Sequence, residues 1–329
     1  MTGDLVLVTG ARGFIGWHLS KYLLRTGAQV RGLTRSLAAP LPETDPGIEW
    51  FEGDLKRQSD LHAAVKDCRI LFHVGADYRF WAPDNREIYA SNIDGTSNIL
   101  DAAERAGVEK IIYTSTSGIL AHKKEGEQTE TELASPNQLR GPYKRSKLLA
   151  YREIEKRAQQ GWPIVTVLPT APIGPCDLRP TPTGRIILEF LKGHIPMYAN
   201  TGLNFVDVRD VAIGHHLASN RGISGQRYLI GCQNLWLREF LARLEPFTRY
   251  RAPKIAAPYW LSKTIAHISE GVAQFNQREP FAALEAVETS RFPHFFSSSK
   301  AISEIGYDPQ GIDLAIREAV QYFQNRGMT

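Results

Sequence analysis

The sequence predicts an α/β fold: a doubly wound parallel sheet with a smaller, partly helical C-terminal lobe. Three observations carry this. Short apolar runs alternate with helix-period segments through the first half of the chain. A glycine triplet closes the first run, and the alternation stops in a proline-crowded stretch after about residue 175. The 329 residues suit two structural units, at roughly 100–200 residues per domain.

Leu5 to Thr9 is a continuous apolar run, as in a parallel strand buried on both faces. Phe14, Ile15, Leu19, Leu23 and Leu24 then recur on one helical face, and Gly27 ends the helix. Further strands are expected at Gln29 to Thr34, Glu49 to Glu52, Ile70 to Val74, Lys110 to Ser115 and Ile164 to Leu168. Between them the spacing predicts a helix around Leu61 to Val65, one long helix over Asn85 to Ala106, and another over Arg140 to Gln160. Parallel strands with helical crossovers follow from this order. Pro169, Pro172, Pro175, Pro180 and Pro182 then break the rhythm. Residues 1–175 are read as the dinucleotide-binding domain, with 205–232 returning to its sheet, and 176–329 as a substrate lobe. Phe205 to Val208 and Arg227 to Ile230 are the expected returning strands, and Ile312 to Asn325 the last helix.

Composition excludes several classes. Hydrophobic residues make up 43% and charged residues 22%, which supplies a core and removes any disorder signature. The net charge of +4 is spread along the chain, so no nucleic-acid footprint is expected. Cys68, Cys176 and Cys232 form neither a C-x-x-C pair nor an even framework, so neither a metal site nor a disulfide scaffold is expected. A signal peptide is not expected ahead of the first strand. No apolar run approaches the roughly 20 residues that span a bilayer. A cytoplasmic protein is expected, with membrane association as the alternative.

Gly10-x-x-Gly13-x-x-Gly16 lies where the first strand meets the first helix. Glycines there, with Phe14 and Ile15 between the last two, let the helix N-terminus approach a pyrophosphate. At the tip of the second strand stand Thr34 and Arg35 where an acid would hold a ribose hydroxyl. Arg35, with Arg12 in the loop, suits a 2′-phosphate, so NADP(H) is expected over NAD(H). Asp54-Leu55 after the third strand is placed near the adenine. Tyr143-x-x-x-Lys147 puts a phenol and an ammonium on one helical face, where the cation is expected to lower the Tyr143 pKa. Thr114-Ser115-Thr116-Ser117, at the end of the fifth strand, supplies hydroxyls for a substrate carbonyl.

Together these motifs resemble the extended short-chain dehydrogenase/reductases, over essentially the whole chain. The resemblance implies a Rossmann fold, an NAD(P)-dependent enzyme, and catalytic roles for Thr116, Tyr143, Lys147 and Asn92. It also implies cofactor contacts at Gly75, Ala76, Thr114, Pro169 and Thr170. Three stretches, His73 to Pro83, Arg179 to Arg185 and Thr201 to Val208, are similar to hopanoid-associated sugar epimerases near the dihydroflavonol reductases. From Leu168 and Ala171, where sugar-nucleotide members carry Arg and Asn, net hydride transfer to or from a carbonyl or alcohol is expected, on a small or lipid-linked substrate such as a hopanoid side chain or its sugar-derived portion. Sugar epimerisation with retained NAD is the first alternative and a non-catalytic cofactor-binding regulator the second. Substrate walls are expected from Tyr78, Phe80 and Trp81, and from Thr183, Arg185, Asn204 and Phe205. Ile255 to Phe275 reads as an amphipathic helix, packed as a lid or lying on a membrane surface. A monomer or homodimer is expected.

Overall fold

The computed structural model describes residues 2–123, 125–277, 280 and 283–329, which include every site residue named above. Its strands are β1 (Leu5–Thr9), β2 (Gln29–Thr34), β3 (Glu49–Glu52), β4 (Ile70–His73), β5 (Lys110–Thr114), β6 (Ile164–Pro169), β7 (Ala171–Ile173), β8 (Gly202–Asp207), β9 (Arg227–Ile230) and β10 (Gln233–Trp236). The main sheet has seven strands in the order β3-β2-β1-β4-β5-β6-β9. Every pairing in it is parallel. The order reverses between β1 and β4, and ligands of open α/β sheets bind in the crevice at such a reversal.

Helices cover both faces. They are α1 (Phe14–Arg25), α2 (Gln58–Val65), α3 (Arg86–Tyr89), α4 (Gly95–Arg105), α5 (Pro142–Gln159), α6 (Pro182–Leu191) and α7 (Val208–Arg221). After them come α8 (Leu237–Leu244), α9 (Tyr259–Asn276), α10 (Leu284–Thr289), α11 (Ser299–Ile305) and α12 (Asp313–Asn325). One core layer joins Leu71, Ile99, Ile111, Leu148 and Ile154 under α4 and α5. Its counterpart joins Val6, Trp17, Phe72, Val167 and Val211 under α1 and α7. Strands buried on both faces are the reason for their unbroken apolar runs.

Two details differ from the sequence expectation. The segment expected as one helix over 85–106 runs from α3 through a π-helical turn, Ala90–Asp94, into α4. Of the two strands expected to return to the main sheet, only β9 does, beside β6. β8 instead pairs parallel with β7 and antiparallel with β10 in a separate three-stranded sheet. The physical reason is the third apolar cluster, in which Phe205 of β8 packs with Ile187, Phe240 and Ile316 from α6, α8 and α12.

Candidate active site

The site lies at the carboxyl ends of β1, β4 and β5. Gly10 follows β1 with φ +66, in the left-handed region, and a Cβ there would lie 2.7 Å from the Gly75 Cα. Glycine is therefore what lets the β1 and β4 ends touch. The Gly13 N–H donates to the Gly10 carbonyl (2.8 Å), and α1 begins at the next residue with no side-chain cap and no acid in its first turn. The leading amides of Phe14, Ile15 and Gly16 thus have no partner within the helix. Oriented N–H groups, a positive dipole end and no competing anion fit the pyrophosphate of a dinucleotide.

Arg35 is exposed beyond the tip of β2 and forms no ion pair among the described residues. Arg12 is committed locally: it donates to the Ala39 and Leu37 carbonyls and lies 4.6 Å from the Trp50 ring centroid. Asp54 closes a turn, its Oδ1 accepting from the Lys56 N–H (2.9 Å). Leu55 packs against Gly75 and Gly95.

From β1 a run of hydrogen bonds leads to α5, which carries Tyr143 and Lys147. The Gly75 N–H donates to Thr9 Oγ1 (2.9 Å), and the Thr9 hydroxyl donates to His73 Nδ1 (2.8 Å). His73 Nε2–H donates to Thr96 Oγ1 (3.0 Å), whose hydroxyl donates to the Asn92 carbonyl (2.7 Å). Each hydroxyl has one proton to give, and that fixes this tautomer. Burial lowers the His73 pKa to about 3 and keeps the ring neutral. Asn92 sits in the π-turn. Its Nδ2 donates to Ser146 Oγ (2.9 Å) and to the Asp77 carbonyl (2.9 Å), and its Oδ1 accepts from the Asp77 N–H (2.7 Å). Ser146 in turn donates to the Tyr143 carbonyl (2.8 Å).

Tyr143, half-buried in the first turn of α5, and Lys147 one turn later share a face. Thr116, at the end of β5, accepts from the Gly118 N–H (3.1 Å), which sets its hydroxyl. Lys147 is buried and donates to the Thr114 carbonyl (2.8 Å) from 4.6 Å above the Tyr113 ring. Burial lowers its pKa to about 7. The Tyr143 phenol moves opposite to the sequence expectation, pushed up to about 12. Burial is the main cause, and the nearby Glu285 carboxylate adds to it while the Thr116 hydroxyl opposes it. Lys147 does not offset this, because its ammonium is turned to a carbonyl and a ring face. Thr114 is fixed from the other side, its hydroxyl donating to His215 Nε2 (2.8 Å) while His215 Nδ1–H donates to the Val211 carbonyl (2.7 Å).

On the substrate side, the Phe80 ring lies 5.9 Å from that of Tyr143. Tyr78 is exposed and donates to the Arg179 carbonyl (3.3 Å), and Trp81 is buried. Pro169 ends β6, and the Thr170 N–H donates to the Ile230 carbonyl (3.2 Å). Thr183 donates to the Pro172 carbonyl (2.7 Å), and half-buried Arg185 follows on α6. Ala76 leads from Gly75 into the Asp77 turn that Asn92 holds. Two expected substrate residues are corrected. Phe205 is fully buried and stacks on Phe240 with centroids 3.9 Å apart, so it belongs to a core. Asn204 donates to Asn234 Oδ1 (2.7 Å) and the Phe296 carbonyl (3.2 Å) and accepts from the Cys232 N–H (3.0 Å), which leaves it a structural bracket.

Sequence reading missed a buried pair beside Tyr143. Glu285 of α10 lies against Gly141, the N-cap of α5 with φ +77, where any Cβ would strike the carboxylate. Both Glu285 oxygens are buried, and neither has a hydrogen bond of normal geometry among the described residues. Lys144 donates to Thr289 Oγ1 (2.9 Å), and burial pushes the Lys144 pKa down and the Glu285 pKa up. Nothing in the local sequence marks a contact between residues so far apart.

A dinucleotide-shaped cradle at the β1–β4 reversal, with a Tyr–Lys pair and a hydroxyl at the next strand end, defines a Rossmann-type oxidoreductase. The chain belongs to the NAD dependent epimerase/dehydratase family, which matches residues 6–231. A Synechocystis protein with a provisional dihydroflavonol 4-reductase name is 43% identical over 98% of this chain and 96% of its own. Sterol demethylase protein B of Methylococcus capsulatus is 30% identical over 98% and 99%. The crystal structure of gox2253 superposes with a TM-score of 0.87 at 37% identity, covering 99% of this chain and all of the other. The protein is thus an NAD(P)-dependent enzyme of the extended short-chain dehydrogenase/reductase type.

Proposed function

We propose that the protein transfers a hydride between NADP(H) and a secondary alcohol or ketone on a polycyclic lipid of sterol or hopanoid type. The observation that carries the cofactor choice is the tip of β2, where Arg35 is exposed, forms no ion pair among the described residues, and has no acid beside it at Thr34 or Ser36. A carboxylate there would repel a 2′-phosphate; a guanidinium pairs with it. For the substrate, Phe80 against Tyr143 gives the reacting centre an apolar wall, and the similarity to a protein named for sterol demethylation supports the class.

The amides of Phe14, Ile15 and Gly16 would hold the pyrophosphate, and Lys147 the nicotinamide ribose. When bound, the cofactor supplies or accepts the hydride at its ring. In reduction, Thr116 donates a hydrogen bond to the ketone oxygen, and Tyr143 O–H delivers the proton as that oxygen becomes an alkoxide. In oxidation the same phenol takes the proton back. Asn92 and Ser146 keep the first turn of α5, and with it Tyr143, in place. Burial keeps the Tyr143 phenol protonated, the form that gives up its proton in reduction.

The test is binding of NADPH and NADH to the purified protein, with turnover of a 3-ketosterol under each. NADPH binds more tightly, and Arg35→Ala narrows the preference at least tenfold, as expected for one charge-assisted phosphate contact. Tighter NADH binding overturns the cofactor assignment. Tightly retained NAD with no net ketone reduction would instead favour epimerisation.

A further inference from the structure

We infer that the outer face of α9 is a docking surface for an anionic lipid bilayer. Seven of the fourteen exposed large hydrophobic residues among those described fall between residues 255 and 275. Phe275 is 96% exposed, Trp260 69%, Ile255 66%, Ile268 63% and Val272 55%. At about 100° per residue, Trp260, Phe275, Ile268 and Val272 occupy one sector about 120° wide. The helix buries its other side: Ala266 and Ala273 point inward, Glu270 accepts from the Leu284 N–H (2.7 Å), and Lys263 reaches Glu288 (3.7 Å). An ordinary surface helix places its apolar sector toward the core. Here small residues face the protein and large apolar ones face out, which corrects the expectation of a lid packed by its apolar side.

Charge selects the occupant. Beside this face Arg249 and Lys254 form no ion pair among the described residues, while Arg251 is paired with Glu245 (3.1 Å), Lys263 with Glu288, and the acid Glu270 is turned inward. A second copy packed on this face would bring like charges together, whereas anionic headgroups complement them while the apolar sector enters the acyl boundary. Tyr259 and Trp260 stand at the amino end, amphipathic rings of the kind that settle at headgroup level. At 1.5 Å per residue the 18-residue helix is about 27 Å long. No helix among the described residues is long and apolar enough to cross a membrane, so α9 lies on the surface rather than spanning it. This inference goes beyond the lipid-substrate reading, and vesicle binding measured without turnover tests it separately.

The experiment is co-sedimentation of the full chain with vesicles of pure phosphatidylcholine and of phosphatidylcholine with 30% phosphatidylglycerol, about a third being enough to give a strong surface charge. Binding to the anionic vesicles exceeds binding to the neutral ones by at least about tenfold and weakens in high salt. The double variant Ile268→Ser with Phe275→Ser weakens it by a further tenfold or more, because two apolar side chains no longer leave water. Lys254→Glu weakens binding to the anionic vesicles alone. Ile223→Ser, at an exposed site on another surface, changes nothing and reports that exposed apolar substitutions are harmless in themselves. Absent or charge-independent binding overturns the inference, and so does wild-type binding by the double variant. A concentration-dependent dimer that the same double variant dissolves also overturns it, since the face would then join two copies.

Discussion

Gly10→Ala separates two costs that usually arrive together. The φ of +66 at Gly10 costs an L-residue about 1–2 kcal/mol. The added Cβ would also sit 2.7 Å from the Gly75 Cα and 2.9 Å from its nitrogen. Carbon atoms pack best at about 3.5–4.0 Å, so the loop has to retreat by close to 1 Å. Because both sides of the contact are backbone, no rotamer change relieves it, and overpacking of this kind costs about 1–3 kcal/mol. The expected loss is then about 2–5 kcal/mol. Gly107→Ala is the control, with φ +69 and nothing within 4 Å of its Cβ; it loses only the conformational part, about 1–2 kcal/mol. Urea unfolding of both variants measures the difference. Dinucleotide titration adds a second readout: a retreat of this size displaces the amides of α1, so Gly10→Ala binds at least about tenfold more weakly and Gly107→Ala binds normally. Equal stability losses with unchanged binding by both would refute the close-approach argument.

Tyr143→Phe is expected to keep dinucleotide binding and lose turnover by about 100-fold or more, in line with removal of a general acid; single-turnover kinetics would expose any retained chemistry. Burial lowers the His215 pKa to about 4. Between pH 6.5 and 4 the unfolded chain therefore binds a proton that the native one refuses, and stability rises with pH across that window and is lost as pH falls through it. For His215 alone the effect is about 3 kcal/mol, and an unfolding series from pH 7 to 4 should flatten in His215→Gln. Glu285→Gln removes the carboxylate that raises the Tyr143 pKa. The alkaline limb of kcat/KM is expected to move to lower pH, and an unmoved limb with intact folding would show that the two groups are not coupled.

Legibility in the sequence followed how local each signal was. The strands β1, β4 and β6 read correctly because burial on both faces leaves a mainly apolar run, broken only by Thr166 within β6 and by the terminal Thr9 and His73 of β1 and β4. The Gly10 loop read correctly because the steric demand falls on the residue itself. The π-turn at Ala90–Asp94 did not, since no Pro or Gly interrupts it and its reason lies in what Asn92 reaches across the site. β8 was assigned to the wrong sheet because alternation within a strand says nothing about which neighbour it pairs with. Glu285, Lys144 and His215 escaped notice for a related reason: each partner lies 100 or more residues away or acts only through burial. The Tyr143 shift was misjudged because i,i+4 spacing gives proximity along the helix but not the direction in which the Lys147 ammonium turns.

The π-turn also bears on which insertions and deletions this chain tolerates. A π-turn absorbs one extra residue in a helix, so removing one of residues 90–94 would turn the segment into a regular helix with α3 and α4 kept nearly in phase. Asn92 would then lose the displaced position in the widened turn from which it reaches Ser146. A scan of single deletions should find total loss of turnover there and tolerance in the 38–46 loop. Chain length at that one place thus helps set where Asn92 stands, just as the side chain itself does.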